Sequence, residues 1–410
     1  MIETDIAIIG AGPAGMMAAI SAAERSKKIA LFEANTTAGR KLLITGRGRC
    51  NLTHVGKPDE IIKAFAPFDR FVRHCMYEFP PKKVMDFFKE RGLDSAPEED
   101  GCVFPVTNSA ADVKQILEDE LKKKDVKIYY GRKIQAITKE NDLFIIPSEK
   151  FTLSAKALII ATGGVSWPQT GSTGDGYKFA SAFGHKIIEP IAALVPLIAN
   201  ERFCGSLAGL GIQKVSISCK IAGKKISSSG AMIFTHQGIG GPAVFDLSRN
   251  VAGIVENNYK ISIDFLPDIN AEQLEKQLTQ TFAENPKKHI ELLVSQFFPK
   301  ALATIICEQA EAAKMEAGQI NKKLRKKLVE NLKAFVLTIV SAQEIERATV
   351  TRGGVDIAEI DNKTMQSKIV KELFFAGEVM NVDGPCGGYN LQFAFSSGFI
   401  AGKNAYKSLE

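Results

Sequence analysis

Only one tryptophan, no CxxC pair and no apolar run approaching a membrane span occur in the 410 residues of this chain. A bilayer crossing takes about 18 or more consecutive apolar residues, so no transmembrane helix is expected. The seven cysteines, Cys50, Cys75, Cys102, Cys204, Cys219, Cys307 and Cys386, are odd in number and scattered. That spacing argues against a disulfide framework, a zinc site or a dithiol relay, and no metal is expected. The first residues run directly into an apolar segment and leave no room for a signal peptide, so the expected location is the cytoplasm. Charge of one sign is also scarce. With 52 Lys and Arg against 46 Asp and Glu, the net charge is +6. The densest basic run, Lys322 to Lys327, falls in a helical pattern and reads as a solvated face; nucleic acid is not the expected partner. A small molecule is, and nothing here sets the oligomeric state.

What is present is glycine in two telling places. Near the N-terminus an apolar run, Ile6 to Ile9, ends in Gly10-Ala11-Gly12-Pro13-Ala14-Gly15 and enters a small-residue helix. Gly10 suits a tight strand-to-helix turn, Gly12 lets a pyrophosphate reach the backbone, and Gly15 lets helix and strand pack closely. A second apolar run, Ile29 to Phe32, delivers Glu33 where a carboxylate accepts hydrogen bonds from an adenosine ribose. Near the C-terminus, Leu373 to Ala376 forms another strand pattern ending in Gly377-Glu378. Together the two segments predict one FAD site assembled from both ends of the chain.

Between them, Ala38 to His54 is a glycine- and arginine-rich loop whose cations Arg40, Lys41, Arg47 and Arg49 suit a diphosphate or flavin ring. Pro58 to Lys124 reads mainly as helices, and Val126 to Thr138 as strand and hairpin. Ala157 to Ile160 reads as a strand ending in Ala161-Thr162-Gly163-Gly164, a second close backbone approach. Short alternating segments from Pro190 to Pro267 predict an antiparallel barrel or sandwich, and Ala271 to about Gln343 reads as helical. The expected fold is α/β: a FAD-binding Rossmann-like domain of glutathione-reductase type (1–190 plus 346–410), interrupted by a β-barrel-like insert (191–268) and a helical insert (269–345). The last helix has a spine of Leu391, Ala394, Gly398 and Ala401, and its first turn carries Tyr389, Asn390 and Gln392. The candidate cofactor contacts are Gly10, Gly12, Pro13, Ala14, Gly15, Glu33, Ala34, Arg40, Lys41, Gly46, Arg49, Cys50, Asn51, Ile134, Ala161, Thr162, Gly163, Gly377, Glu378, Gly388, Asn390, Leu391 and Gln392.

Along nearly its whole length the chain resembles the bacterial NAD(P)/FAD-dependent oxidoreductases of the aminoacetone oxidase family. The resemblance rests on GRKLLITGRGRCNLT, ATGG followed by GSTGDG and Gly184-His185, FTHQGIGGPAVFDLS, VTRGGV and FFAGEVMNVDGPCGGYNLQFAFSSGFIAG, in this order. It implies a FAD domain built from both termini with β-barrel-like and helical inserts. Family members commonly carry Asp where this chain has Asn381, and Thr where it has Cys386.

Only one GxGxxG is present, so NAD(P)H, if used, would visit the flavin directly as a transient hydride donor. His236, in FTHQGIGGP, is the candidate acid or base; the alternative is a structural hydrogen-bonding role. Cys386 reads as a small buried thiol before a nucleophile, and His54 and Arg352 are weaker candidates on motif position. The expected function is FAD-dependent hydride transfer to or from a small organic substrate, with NAD(P)H-linked reduction preferred. The alternatives are oxidation of an amine or amino ketone by dioxygen, and a flavin-containing RNA-associated modification protein.

Overall fold

A computed structural model describes residues 2–23, 27–148, 151–221, 223–252 and 258–410. They form two compact units, Met1–Ala192 with Ile345–Glu410, and Ala193–Glu344.

In the first unit, strand β1 (Ile2–Ile9) leads into helix α1 (Pro13–Ala22), and the chain returns through β2 (Ile29–Phe32). Their small and branched apolar residues suit a strand–helix–strand unit covered on both faces. β1 and β2 pair in parallel, Ile6 with Ile29 through Ile9 with Phe32. Helices at Pro58–Ala64, Asp69–Glu78, Pro81–Lys89 and Ala110–Lys123 follow. Next, β3 (Lys127–Tyr129) adds in parallel to β2. The hairpin that follows is formed by β4 (Thr138–Glu140) and β5 (Leu143–Pro147), somewhat later than the sequence suggested. β6 (Thr152–Ile160) pairs antiparallel with β5 and parallel with β1. The order across the sheet is β3-β2-β1-β6-β5-β4.

The second unit contains β7 (Leu197–Ala199), β8 (Gly211–Ile221), β9 (Lys224–Thr235), β10 (Gly238–Gly240), helix α2 (Pro242–Val251) and β11 (Tyr259–Asp264). Helices at Ala271–Glu284, Ile290–Val294 and Lys300–Gln309 precede α3 (Lys322–Lys333) and a last strand, β12 (Phe335–Ala342). The strands close an antiparallel barrel in the order β7-β10-β9-β8-β11-β12. Here the helical reading of Ala271 to Gln343 is corrected. Phe335, Leu337 and Ile339 are buried while Val336 is exposed, a two-residue alternation. The β-branched run Val336, Thr338, Ile339 and Val340 favours a strand even though it follows a helical pattern without a break. The helices therefore lie between two neighbouring barrel strands and share their core: Phe265 packs on Phe298 and Phe335 at ring-centroid distances of 5.6 and 5.3 Å.

Back in the first unit come β13 (Val350–Val355), β14 (Leu373–Phe375) and helix α4 (Tyr389–Lys407). β14 pairs in parallel with the last residues of β6, Leu373 with Leu158 through Phe375 with Ile160, beyond the point where β5 leaves that edge. α4 crosses α1 at backbone contact. A Cβ on Gly398 or Gly402 would overlap the carbonyl oxygen of Ala14 or Ala18, respectively. The first and last helices of the chain are thereby held against each other.

Candidate functional site

The turn after β1 is shaped by steric exclusion. Gly10 lies at φ +102°, and a Cβ there would stand 2.5 Å from the Ala161 carbonyl oxygen just past β6. A Cβ on Gly15 would overlap the Gly10 carbonyl oxygen. Gly12 differs, because nothing lies within 4 Å of where its Cβ would be. Open space thus borders the start of α1. That helix has Gly12 as N-cap and Pro13 and Ala14 in its first turn, with neither a capping side chain nor an acid. Such amide groups carry partial positive charge and suit an anionic partner.

Glu33 is buried at the end of β2, and its carboxylate accepts from the Ala11 amide at 3.0 Å and the Asn35 amide at 2.8 Å. It braces the glycine turn from below. Ala34 follows it, exposed. Arg40 donates to Asn35 Oδ1 at 2.7 Å, which sets that guanidinium near the same acid. The Arg132 amide donates to the Glu33 carbonyl at 2.8 Å, bringing the segment that carries buried Ile134 alongside.

A second polar group centres on Lys41 and Glu378. Lys41 Nζ is 2.9 Å from Glu378 Oε2 and 2.7 Å from Ser166 Oγ, and Glu378 Oε1 also accepts from the Thr351 amide at 2.8 Å. Thr351 Oγ1 in turn accepts from the Val165 and Ser166 amides at 3.0 and 3.1 Å. Gly377, at φ +74°, is held by its amide donating to Ser397 Oγ of α4 at 2.9 Å. Beside this group, Arg352 forks onto Asp383, Nε to Oδ1 at 2.8 Å and Nη2 to Oδ2 at 3.0 Å, and Asp383 is fully buried. Asn381 Oδ1 accepts from the Gly353 amide at 3.1 Å. Ser166, Thr351 and Asp383 were not singled out in the sequence; their only signal is membership of the VSWPQ, VTRGGV and NVDGP segments. Lys41→Met is expected to lower the thermal unfolding midpoint by an amount equivalent to about 1–3 kcal/mol, because it strands a half-buried carboxylate. Adding Glu378→Gln should recover part of that loss, and an unchanged midpoint in the single variant would remove the pair from this account.

The loop from 39 to 51 turns through left-handed backbone at Gly46, Arg47, Gly48 and Cys50. Arg49 is 2.6 Å from Glu98 and stacked 3.9 Å from the Phe104 ring centroid. Cys50 is buried, and that burial pushes its thiol up to about 12. Gln392 is fully buried, donating to the Phe79 carbonyl and accepting from Thr53 Oγ1, and Asn390 exchanges hydrogen bonds with the Gly384 backbone. Any contact from these two residues would come from backbone, since their amides brace the helix start. Leu391 packs against the main core. Gly388, the N-cap of α4, lies at φ +94° with no capping side chain, and no acid occupies the first turn.

Two histidines of the first unit are held by local contacts. His54 has both ring nitrogens near carbonyl oxygens, Val55 at 2.7 Å and Asp100 at 3.1 Å, and stacks on Tyr389 at 4.7 Å. His185 is buried between Ser367 Oγ at 2.8 Å and Glu359 at 3.2 Å, and burial pushes its pKa down. Cys386 is half-buried. His236 belongs to the second unit, exposed in the two-residue turn between β9 and β10, and its imidazole has no hydrogen-bond partner among the described residues. Among those residues no cluster could hold a metal, and no helix is long and apolar enough to cross a membrane.

FAD fits the residues present. Open space at Gly12 and the uncapped start of α1 suit its pyrophosphate, Glu33 suits ribose hydroxyls, and Asn51 Oδ1 is a buried acceptor without a partner that the ring N–H of a flavin could satisfy. The buried Thr162 hydroxyl is likewise unpartnered. A Rossmann sheet carrying this turn, completed by a strand and a helix from the other end of the chain, places the protein among the FAD-dependent oxidoreductases. Within that class the chain belongs to the HI0933-like family, whose Rossmann-domain model matches residues 4–404. It is 32% identical over 410 residues to a 3-dehydro-bile acid delta(4,6)-reductase of Clostridium scindens, covering 98% of each chain. It is also 32% identical over 400 residues to a ribosomal RNA dihydrouridine synthase of Haemophilus influenzae, covering 96% of each. The fold is similar to that of a 3-ketosteroid delta1-dehydrogenase from Sterolibacterium denitrificans, with a TM-score of 0.55, 12% identity and 100% of both chains covered.

Proposed function

We propose that this protein uses NAD(P)H to reduce a carbon–carbon double bond polarised by a carbonyl group. The observation that carries the reading is the electrostatic character of the site. α1 and α4 both start uncapped with no acid in the first turn, and the one carboxylate in the neighbouring polar group, Glu378, is matched by Lys41. A helix N-terminus favours negative charge by roughly 0.3–2 kcal/mol. Such surroundings favour uptake of an electron pair from a nicotinamide over its release to one. Bound FAD supplies the hydride at its N5 position. The chain's own contribution is to hold the pyrophosphate at Gly12 to Gly15, the ribose at Glu33, and the ring by the segments of Lys41, Asn51 and Gly388. The overall change is balanced: NAD(P)H is oxidised, hydride reaches the carbon β to the carbonyl, and a proton reaches the α carbon. Water supplies that proton.

The names of two full-length relatives support the substrate class. A 3-dehydro-bile acid with double bonds at 4 and 6 and a uridine with its 5,6 double bond differ in size, but each presents an alkene conjugated to a carbonyl.

The test is anaerobic mixing of the yellow protein with NADH, then NADPH, following flavin absorbance, and then addition of a conjugated enone. Bleaching by one nucleotide and recovery of colour on adding the enone is expected. Bleaching only by an amino ketone, with recovery on admitting dioxygen, would replace this reading by an oxidase.

A further inference from the structure

A carboxylate offers two oxygens and about four positions at which donors can bind. On buried Glu33 the protein itself fills three of them. Oε1 accepts from the Asn35 amide at 2.8 Å and from Asn35 Nδ2 at 2.7 Å, and Oε2 accepts from the Ala11 amide at 3.0 Å. One oxygen is therefore saturated by a single residue, and the other keeps one position for a ligand. Of these donors, the Ala11 and Asn35 amides are backbone and would be present with any residue that keeps this turn. The Asn35 carboxamide is a side-chain donor, and it is the one that closes Oε1.

The orientation of that carboxamide is fixed by its other partners. Asn35 Oδ1 accepts from Arg40 Nη1 at 2.7 Å, while Nδ2 also reaches the Thr170 carbonyl at 3.1 Å. A guanidinium only donates, and a carboxylate and a carbonyl only accept. Reversed, the amide would set its NH2 against Arg40 and its oxygen against Glu33 and Thr170, so one orientation satisfies all three neighbours. The residue is also held in place by its surroundings. The Gly131 amide donates to the Asn35 carbonyl at 2.8 Å, and a Cβ on Gly171, at φ +105°, would overlap Asn35 Nδ2.

Adenosine carries two adjacent ribose hydroxyls, and an unencumbered carboxylate can take one on each oxygen. We infer that Asn35 is a positioning residue that sets ribose specificity: by closing Oε1 of Glu33 it limits the carboxylate to one hydroxyl of the pair, bound at Oε2. The inference rests on the reading that places the adenosine ribose at Glu33. A second hydroxyl reaching for Oε1 would have to displace a donor that Arg40 and Thr170 hold in place, at the cost of leaving that donor unpaired. Asn35 itself touches no cofactor in this account; it acts through Glu33.

The experiment reconstitutes the full-length protein with FAD and with two FAD analogues, one lacking the 2′-hydroxyl of the adenosine ribose and one lacking the 3′-hydroxyl. Dissociation constants are read from flavin fluorescence. With wild-type protein, one analogue should bind at least about tenfold more weakly than FAD, the loss expected for a hydrogen bond to a charged group, and the other within about twofold. Asn35→Ala opens Oε1, so deletion of either hydroxyl should then weaken binding, and the gap between the analogues should shrink to about threefold or less. A residue that merely supported the fold would change all three affinities together and leave the gap intact. Equal weakening of both analogues in the wild type would keep the ribose at Glu33 but overturn the single-hydroxyl inference. Two analogues that bind like FAD would take the ribose away from Glu33 and the inference with it. An unchanged gap in Asn35→Ala would overturn the role of Asn35. The wild-type comparison depends on no variant, and because binding is read without nicotinamide or enone, each of these outcomes leaves the proposed reduction standing.

Discussion

Gly12→Asp is expected to give a folded protein that purifies colourless. The space where its Cβ would go is empty to 4 Å, so the side chain enters without displacing backbone. Its φ of −78° suits an L residue. What changes is charge. A carboxylate about 4 Å from a phosphate, at an effective dielectric of about 20, costs about 4 kcal/mol, or close to a thousandfold in affinity. Gly15→Val makes the opposite prediction: its side chain would overlap the Gly10 carbonyl oxygen, and the loss should fall on folding itself. The check is the flavin-to-protein absorbance ratio together with circular dichroism for both variants. Full flavin occupancy in Gly12→Asp would move the pyrophosphate away from α1.

Asp383→Ala should be the most destabilising single change at the return of the chain into the first unit. The carboxylate is fully buried and receives two nitrogens of Arg352, so its removal takes the paired negative charge away from a guanidinium that is 19% exposed. Breaking one side of a buried ion pair typically costs about 3–5 kcal/mol, whereas replacing both sides with apolar residues of similar size is often close to neutral. Arg352→Met/Asp383→Leu should therefore recover most of the loss. Urea unfolding followed by flavin fluorescence measures both. A single variant as stable as wild type, or a double variant no better than the single, would mean that the pair is not what holds β13 to the segment before α4.

The glycine turn was legible because its constraints are local. Gly10, Gly12 and Gly15 lie within six residues, and strand, turn and helix each leave their own pattern there. Glu33 followed from the length of one strand–helix–strand unit. Side-chain partners far along the chain leave no such local pattern. Gln392 and Asn390 look like groups turned outward, but what neutralises Gln392 is Thr53 and the Phe79 carbonyl, which no pattern around residue 392 reveals. The contacts of Arg49 with Glu98 and Phe104 likewise join residues about 50 positions apart. β12 was read as helix because apolar spacing alone does not separate a short strand from the continuation of a helix. The alternating burial that identifies it exists only once β7 and β11 flank it.

Strand β14 has a consequence for synthesis. Emerging from a ribosome, the first unit has β1, β2 and β6 early, yet the edge of β6 at Leu158 to Ile160 stays unpaired until Leu373 to Phe375 is made. The face of α1 at Ala14 and Ala18 waits longer still, for Gly398 and Gly402. The barrel unit, by contrast, has all its strands once Ala342 has appeared. The later half of the protein can therefore finish folding while the earlier half is still waiting, and a chain stopped short of α4 presents an open strand edge of the kind that seeks partners on other molecules. Released chains truncated between residues 345 and 370 should accordingly resist protease across 193–344 while remaining cleavable near α1.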